Sequence, residues 1–235
     1  MTLFFPKLRS SLAQLGFLDT IYYGTSRLAQ RWTGKPLIYR YAIMAQPVPD
    51  RPLLPPRRGR DIEIRLLLSP DPILGELELT PEVVAHRFRQ GAVCFAAFKN
   101  DRIIGSLWLC CGPYFEDEVR CRFDCSPRES TCWDFGLYLT PAYRGGIAFA
   151  RLWDAANAYL RERAIAWSFS RVGRINPGSL ASHKRLGARQ LGTATFFCVG
   201  GWQLMLTSLP PYFQLSRRSA PTLRLRPPQS LDAPV

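Results

Sequence analysis

Residues 133–163 read WDFGLYLT, then PAYRGG, then IAFARLWDAANAYLRER, and this run constrains the fold more than any other part of the chain. The first piece is a strand and the second a short loop with two glycines. The third, Ala148–Arg163, is a helix with Leu152, Ala155, Ala156, Tyr159 and Leu160 on one side. Ile165, Trp167 and Phe169 then alternate through a further strand, Ile165–Ser170. A helix with one apolar stripe between two strands must bury that stripe on a sheet, which defines an α/β layer structure. The flanking sequence supplies the other strands: Ile62–Leu68, Cys132–Leu139, and a hairpin of Ala92–Phe98 and Ile103–Cys111 turning at Asn100-Asp101. A closing pair, Gln190–Cys198 and Gln203–Leu206, surrounds Gly200-Gly201. Thr80 and Pro81 open a helix over Thr80–Gln90, and Pro177 opens a short one that stops at Gly187. The expected fold is mixed α/β, with a central, mostly antiparallel sheet and helices on both faces.

Charge divides the chain differently. Residues 1–60 carry 10 Lys/Arg against 2 Asp/Glu, residues 61–208 carry 17 against 15, and residues 209–235 carry 4 against 1. The core is thus nearly neutral and the flanks are basic, which argues against a globular nucleic-acid-binding face and favours contact of the flanks with an anionic surface. Residues 3–32 read as helical, with Leu8, Leu12, Leu15 and Leu18 interspersed with Lys7, Arg9, Arg27 and Arg31. Such a segment either lies on a membrane surface or packs its apolar side on the domain. The expected organisation is a basic amphipathic helical extension at 1–46, a Pro/Arg linker at 47–60, a catalytic domain at 61–208 and a disordered tail at 209–235. No leader pattern or apolar run near the ~20 residues of a membrane span is present, so a cytoplasmic chain, peripheral to the membrane through residues 1–46, is expected. The seven cysteines lack a CxxC pair and are read as reduced, packed thiols, with no metal site.

The chemistry centres on the loop. Small residues between a strand and a helix let backbone N–H groups approach an anion, and the helix start adds partial positive charge. Downstream, Asn176, Ser179, His183 and Gly187 fall at intervals of three, four and four residues. With the strand order, these blocks resemble the GNAT superfamily of acyl-CoA N-acyltransferases. There a PxYRGxGxA loop binds the CoA pyrophosphate and an N-x-x-A-x-x-x-Y-x-x-x-G-F block completes the site. Here Pro141, Tyr143, Arg144, Gly145, Gly146 and Ala148 match the first block. Asn176, Ser179 for alanine, His183 for tyrosine, Gly187 and Ala188 for phenylalanine match the second. Anchored on Gly146 and Ala148, the loop is one residue short and Arg144 sits one place late.

The resemblance implies acetyl-CoA or another acyl-CoA as co-substrate and an amine acceptor that attacks the thioester directly. It implies cofactor contacts from Leu137, Leu139, Arg144, Gly145, Gly146, Ile147, Ala148, Asn176 and Ser179. His183 would take the place of the tyrosine that protonates the leaving thiolate; its other reading is a side chain packed at the end of a short helix near solvent. Asp134, opposite in face to Trp133 and Phe135, is the first candidate base. Glu116, in the acidic triplet Glu116-Asp117-Glu118, is the second, the alternative for the triplet being a solvated loop. A catalytically silent CoA-binding or scaffold module acting through the basic flanks is the competing expectation. The acceptor and the oligomeric state are not legible.

Overall fold

The computed structural model describes residues 36–228. The helical extension expected at residues 3–32 lies outside them. The described chain is mixed α/β with a large mixed sheet, and it divides into two compact units.

The larger unit comprises Ala45–Asp117, Arg122–Ser170 and residues 224–228. Its strands β2 (Glu63–Leu67), β3 (Val93–Lys99), β4 (Arg102–Cys110) and β7 (Thr131–Leu139) pair antiparallel in that order. β7 then runs parallel to the start of β8 (Trp167–Gly173). The β3–β4 hairpin turns at Asn100 and Asp101, both left-handed at φ 50° and 59°, the backbone that a two-residue hairpin of this twist requires. β5 (Tyr114–Phe115) and β6 (Arg122–Cys125) form part of a second, small sheet. Helix α1 (Pro81–Arg89) begins as its sequence directs: the Thr80 hydroxyl accepts from Val83 N at 3.4 Å and Pro81 fills the first turn. Helix α2 (Ile147–Glu162) lays Leu152, Trp153, Ala156 and Leu160 against β3 and β4. Trp108, Trp133 and Trp153 are wholly buried, with Trp133 stacked on Phe123 at 4.2 Å and Tyr114 on Phe135 at 4.2 Å.

The smaller unit comprises residues 36–44, Glu118–Cys121 and Arg171–Leu223. It holds most of β1 (Ile38–Pro47), helix α3 (Pro177–Arg185), β9 (Arg189–Val199), β10 (Trp202–Thr207) and β11 (Phe213–Ser216), with strand order β11-β10-β9-β1. Ala42, Met44, Val172 and Ala188 form its core with Leu180 packed against them.

Three boundaries differ from the sequence reading. Residues 38–46 are not the end of a helical extension; they belong to β1, where Ala42, Ile43, Met44 and Ala45 are at most 1% exposed. An unbroken apolar run of this kind marks a strand buried on both faces, and it lacks the alternation by which half-buried strands announce themselves. The Pro/Arg segment 47–60 is not a free linker. The Asp154 carboxylate on α2 accepts from Leu53 N at 2.6 Å and Leu54 N at 3.1 Å, and Arg161 donates to Pro49 O at 2.8 Å. Residues 209–228 are not disordered: they contain β11 and β12 (Thr222–Leu225), and Leu223 and Leu225 are buried while Arg224 between them is exposed. All seven cysteines are free thiols, five of them buried, with the Cys111 and Cys132 sulfurs 3.2 Å apart. Among the described residues no three Cys, His, Asp or Glu side chains gather as a metal site would need.

Candidate functional site

In the larger unit the site grows from β7. Its parallel register with β8 runs Thr131↔Trp167, Cys132↔Ser168 and Trp133↔Phe169, and no further. On its other edge β7 stays paired with β4 as far as Leu139, but across an irregularity: Trp108 faces Phe135 and Ser106 faces Tyr138, so Leu107 stands opposite both Gly136 and Leu137. This is a β-bulge, and its first residue is a glycine at φ 58°. A Cβ there would stand 2.9 Å from both Arg87 Nη1 and Trp108 Cδ1, so conformation and space both demand glycine. The bulge bends the strand and redirects the backbone of Leu137 and Leu139, the residues expected to hold pantetheine. Sequence reasoning did not single out Gly136, although a lone glycine in a strand pattern is the usual signal of a bulge.

Beyond Thr140 the chain turns through Pro141–Tyr143 and reaches α2 by way of Arg144, Gly145 and Gly146, all solvent-exposed. Gly145 is left-handed at φ 69° with nothing within 4 Å of its added Cβ, and over Gly146 only Tyr143 O comes as near as 4.0 Å. Gly146 is the N-cap of α2, no side chain caps the helix and no acidic residue stands in its first turn. The start of the helix is exposed at Ile147, beside the positive end of a sixteen-residue helix dipole, while Ala148 is buried. The Arg144 guanidinium does not project straight over this opening: its Nε donates to Leu139 O at 2.9 Å, folding the side chain back on the end of β7. It clasps the loop to the end of the strand. Gly59 of the Pro/Arg segment approaches the same turn, since a Cβ on it would stand 2.4 Å from Ile147 Cγ2.

Asp134 lies on β7 two residues before the bulge and is only 2% exposed. The Ser168 hydroxyl donates to its Oδ2. Burial pushes its pKa up to about 7, against the opposing pull of the Ser168 and Ser170 hydroxyls. These serines, two apart on β8, are a feature that sequence reasoning did not find.

The acidic triplet is not a solvated loop. Glu116 is 9% exposed and its Oε1 accepts from Asp117 N at 2.9 Å. Asp117 pairs with Arg87 at 2.6 Å and accepts from Tyr114 at 2.7 Å. Glu118 belongs to the smaller unit, where it pairs with Arg171 at 2.9 Å and accepts from Tyr41 at 2.7 Å.

The second block also lies in the smaller unit. Asn176 caps α3, its Oδ1 accepting from Ser179 N at 3.0 Å, so its cofactor-like spacing serves the helix start itself. His183 sits within α3 and is 4% exposed, not near solvent. Desolvation pulls its pKa down to about 4. The imidazole is therefore neutral at ordinary pH, a weaker proton donor than an imidazolium. An open cavity of about 350 Å³ in this unit is lined by Tyr39, Glu118, Arg120, Cys198, Trp202 and Gln203 among others.

The structure thus brings Asp134, Leu137, Leu139, Arg144, Gly145, Gly146, Ile147 and Ala148 together in one unit, and Asn176, Ser179 and His183 together in the other. No family model matches the chain and no curated protein matches it. Among solved structures it is similar to a tandem GNAT protein from the clavulanic acid biosynthesis pathway, at 14% identity and TM-score 0.46 over 70% of this chain and 55% of that one. It is similar to a GCN5-related N-acetyltransferase from Kribbella flavida, at 11% identity and TM-score 0.43 over 69% and 59%. A further similarity is to an aminoglycoside acetyltransferase from an uncultured soil metagenomic sample, solved with sisomicin, at 12% identity and TM-score 0.39 over 54% and 87%. Likeness of this degree assigns no activity.

Proposed function

We propose that the chain is an acyl-CoA-dependent N-acyltransferase. The observation that carries this reading is the uncapped, glycine-bordered start of α2 directly after a bulged strand: exposed amides at a helix N-terminus suit a pyrophosphate, and the bulge frees strand backbone for an amide-bearing pantetheine arm. In the reaction the amine nitrogen attacks the thioester carbonyl carbon, the C–S bond breaks, the amine loses a proton and the thiolate gains one. Amides of Leu137 and Leu139 would polarise the carbonyl oxygen. Asp134, with a pKa near neutrality, is the proposed proton acceptor, reached through a water since its carboxyl is buried. Acetyl is the default acyl group, and a cytoplasmic location is part of the same proposal.

The experiment is calorimetric titration of the full chain with CoA, repeated with Gly146→Glu. That change places a carboxylate at the anion-accepting turn, where only Tyr143 O lies within 4.0 Å, so the fold is retained. CoA affinity should fall at least tenfold with the thermal midpoint unchanged. Equal binding by both proteins would remove the loop as the cofactor site. A second reading, a CoA-binding module without turnover, is favoured by the burial of both Asp134 and His183. It is upheld if CoA binds but no free thiol accumulates from acetyl-CoA across a broad amine panel.

A further inference from the structure

The outer face of the β9–β10–β11 ribbon is apolar and, among the described residues, uncovered. Gly200 and Gly201, at φ 54° and 86°, make the tight turn between β9 and β10, so the strands pair Val199↔Trp202 and onward in fixed register. Alternation then sorts the side chains. Ala194, Phe196, Gln203, Met205 and Ser216 point inward and are buried. The opposite face joins Val199 to Trp202, Leu204 to Leu215 and Leu206 to Phe213 as directly opposed pairs. Val199 and Phe213 are both 62% exposed, and Trp202, Leu206 and Leu215 are between 40% and 55% exposed. A contiguous apolar face of this kind marks an interaction surface, whereas scattered exposed leucines would not.

The charge around it selects the partner. Within the smaller unit the stretch Arg171–Leu223 has 7 Lys/Arg and no Asp or Glu. Arg217 and Arg218 follow β11 directly, and the Arg217 guanidinium lies 5.7 Å from the Trp202 ring centroid. A second copy would bring the same positive charge to the contact, in a chain of net charge +13. Residues 1–35 are also basic, with 5 Lys/Arg against a single Asp, and would be repelled in the same way. We infer that this face docks on an anionic lipid bilayer, with Trp202, Phe213 and Leu215 entering the interfacial region and the arginines meeting lipid phosphates. Tryptophan and phenylalanine beside arginine are the residues that partition to a headgroup boundary. The surface is distinct from residues 1–46, on which membrane contact was expected from sequence, and independent of the proposed acyl transfer.

The test uses the full chain and vesicles of phosphatidylcholine with about 30% phosphatidylglycerol, against phosphatidylcholine alone. Co-sedimentation should require the anionic lipid and weaken at least tenfold in about 0.5 M salt. Phe213→Ser with Leu215→Ser should weaken it at least tenfold, with the thermal midpoint held because both side chains are solvent-exposed. Bromine-labelled lipid should quench tryptophan emission, and Trp202→Phe should abolish the lipid-dependent part, a readout that does not depend on the serine variants folding. No sedimentation with anionic vesicles would overturn the inference. So would binding that survives the double substitution but is lost on deletion of residues 1–35, or a concentration-dependent dimer that the same double substitution dissociates.

Discussion

Asp134 and His183 pull the stability of the protein in opposite directions with pH. Burial pushes the Asp134 carboxyl up from its ordinary 3.8 to about 7, so over that interval the native state holds the extra proton. Its contribution is fully present below about pH 4 and is lost as pH rises through about 7, on the order of 4 kcal/mol in all. His183 is lowered from 6.5 to about 4, so there the unfolded chain holds the extra proton. Its contribution is present above about pH 6.5 and is lost as pH falls towards 4, on the order of 3 kcal/mol. The two slopes oppose one another between about pH 4 and pH 6.5. Asp134→Asn should therefore leave a protein whose urea midpoint drops on acidification from about pH 7 to about pH 4.5, and His183→Gln one whose midpoint drops over the same range on going alkaline. Parallel profiles for the two variants would show that these residues do not control the titration. Neither burial was legible in sequence: an aspartate in a strand and a histidine in a short helix look the same whether they face solvent or core.

At the scale of elements, β7 and its bulge carry the proposed site, and a single methyl group tests them. Gly136→Ala must adopt φ 58° and displace Arg87 Nη1 and Trp108 Cδ1 from 2.9 Å. A loss of about 2–4 kcal/mol is expected, read as a lower denaturation midpoint at unchanged m-value. CoA affinity should fall with it, because the redirected backbone belongs to the bulge. A neutral effect would mean that the strand is not built on this glycine. The strand, loop and helix around it were legible because alternation in WDFGLYLT and the α2 stripe are strong periodic signals. The hairpins at Asn100-Asp101 and Gly200-Gly201 were legible because left-handed turns need those residues. The bulge was not, since a register shift depends on the partner strand. The docking of residues 47–60 was also hidden, because Asp154 looks like any exposed helical acid until Leu53 and Leu54 amides arrive on it.

For the molecule as a whole, the sequence suggested a domain beginning at residue 61, and the structure makes that boundary a poor place to cut. β1 supplies Ala42, Ile43, Met44 and Ala45 to the core, and Leu37 O accepts from Cys198 N at 2.7 Å. A chain starting at Asp61 should lack a cooperative thermal transition by circular dichroism, whereas one starting at Pro36 should keep it. Cooperative unfolding of the shorter chain would show β1 to be dispensable. Charge asymmetry was legible from composition, but it did not mark the limits of the fold, because the basic stretches at 36–60 and 209–228 are built into it. The tail was misread because Pro, Arg and Ser dominate it, while the short alternation in Thr222–Leu225 that buries Leu223 and Leu225 is only four residues long.

The place of β1 also bears on how the protein is made. Its carbonyl at Arg40, and that of Leu37 just before it, are met by the amides of Arg174 and Cys198, far along the chain. At roughly 5–20 residues per second, β1 is made about seven to thirty seconds before those partners exist. For that interval the run Tyr41–Ala45 is an unpaired apolar strand in the nascent chain, open to chaperones and to neighbouring nascent chains alike.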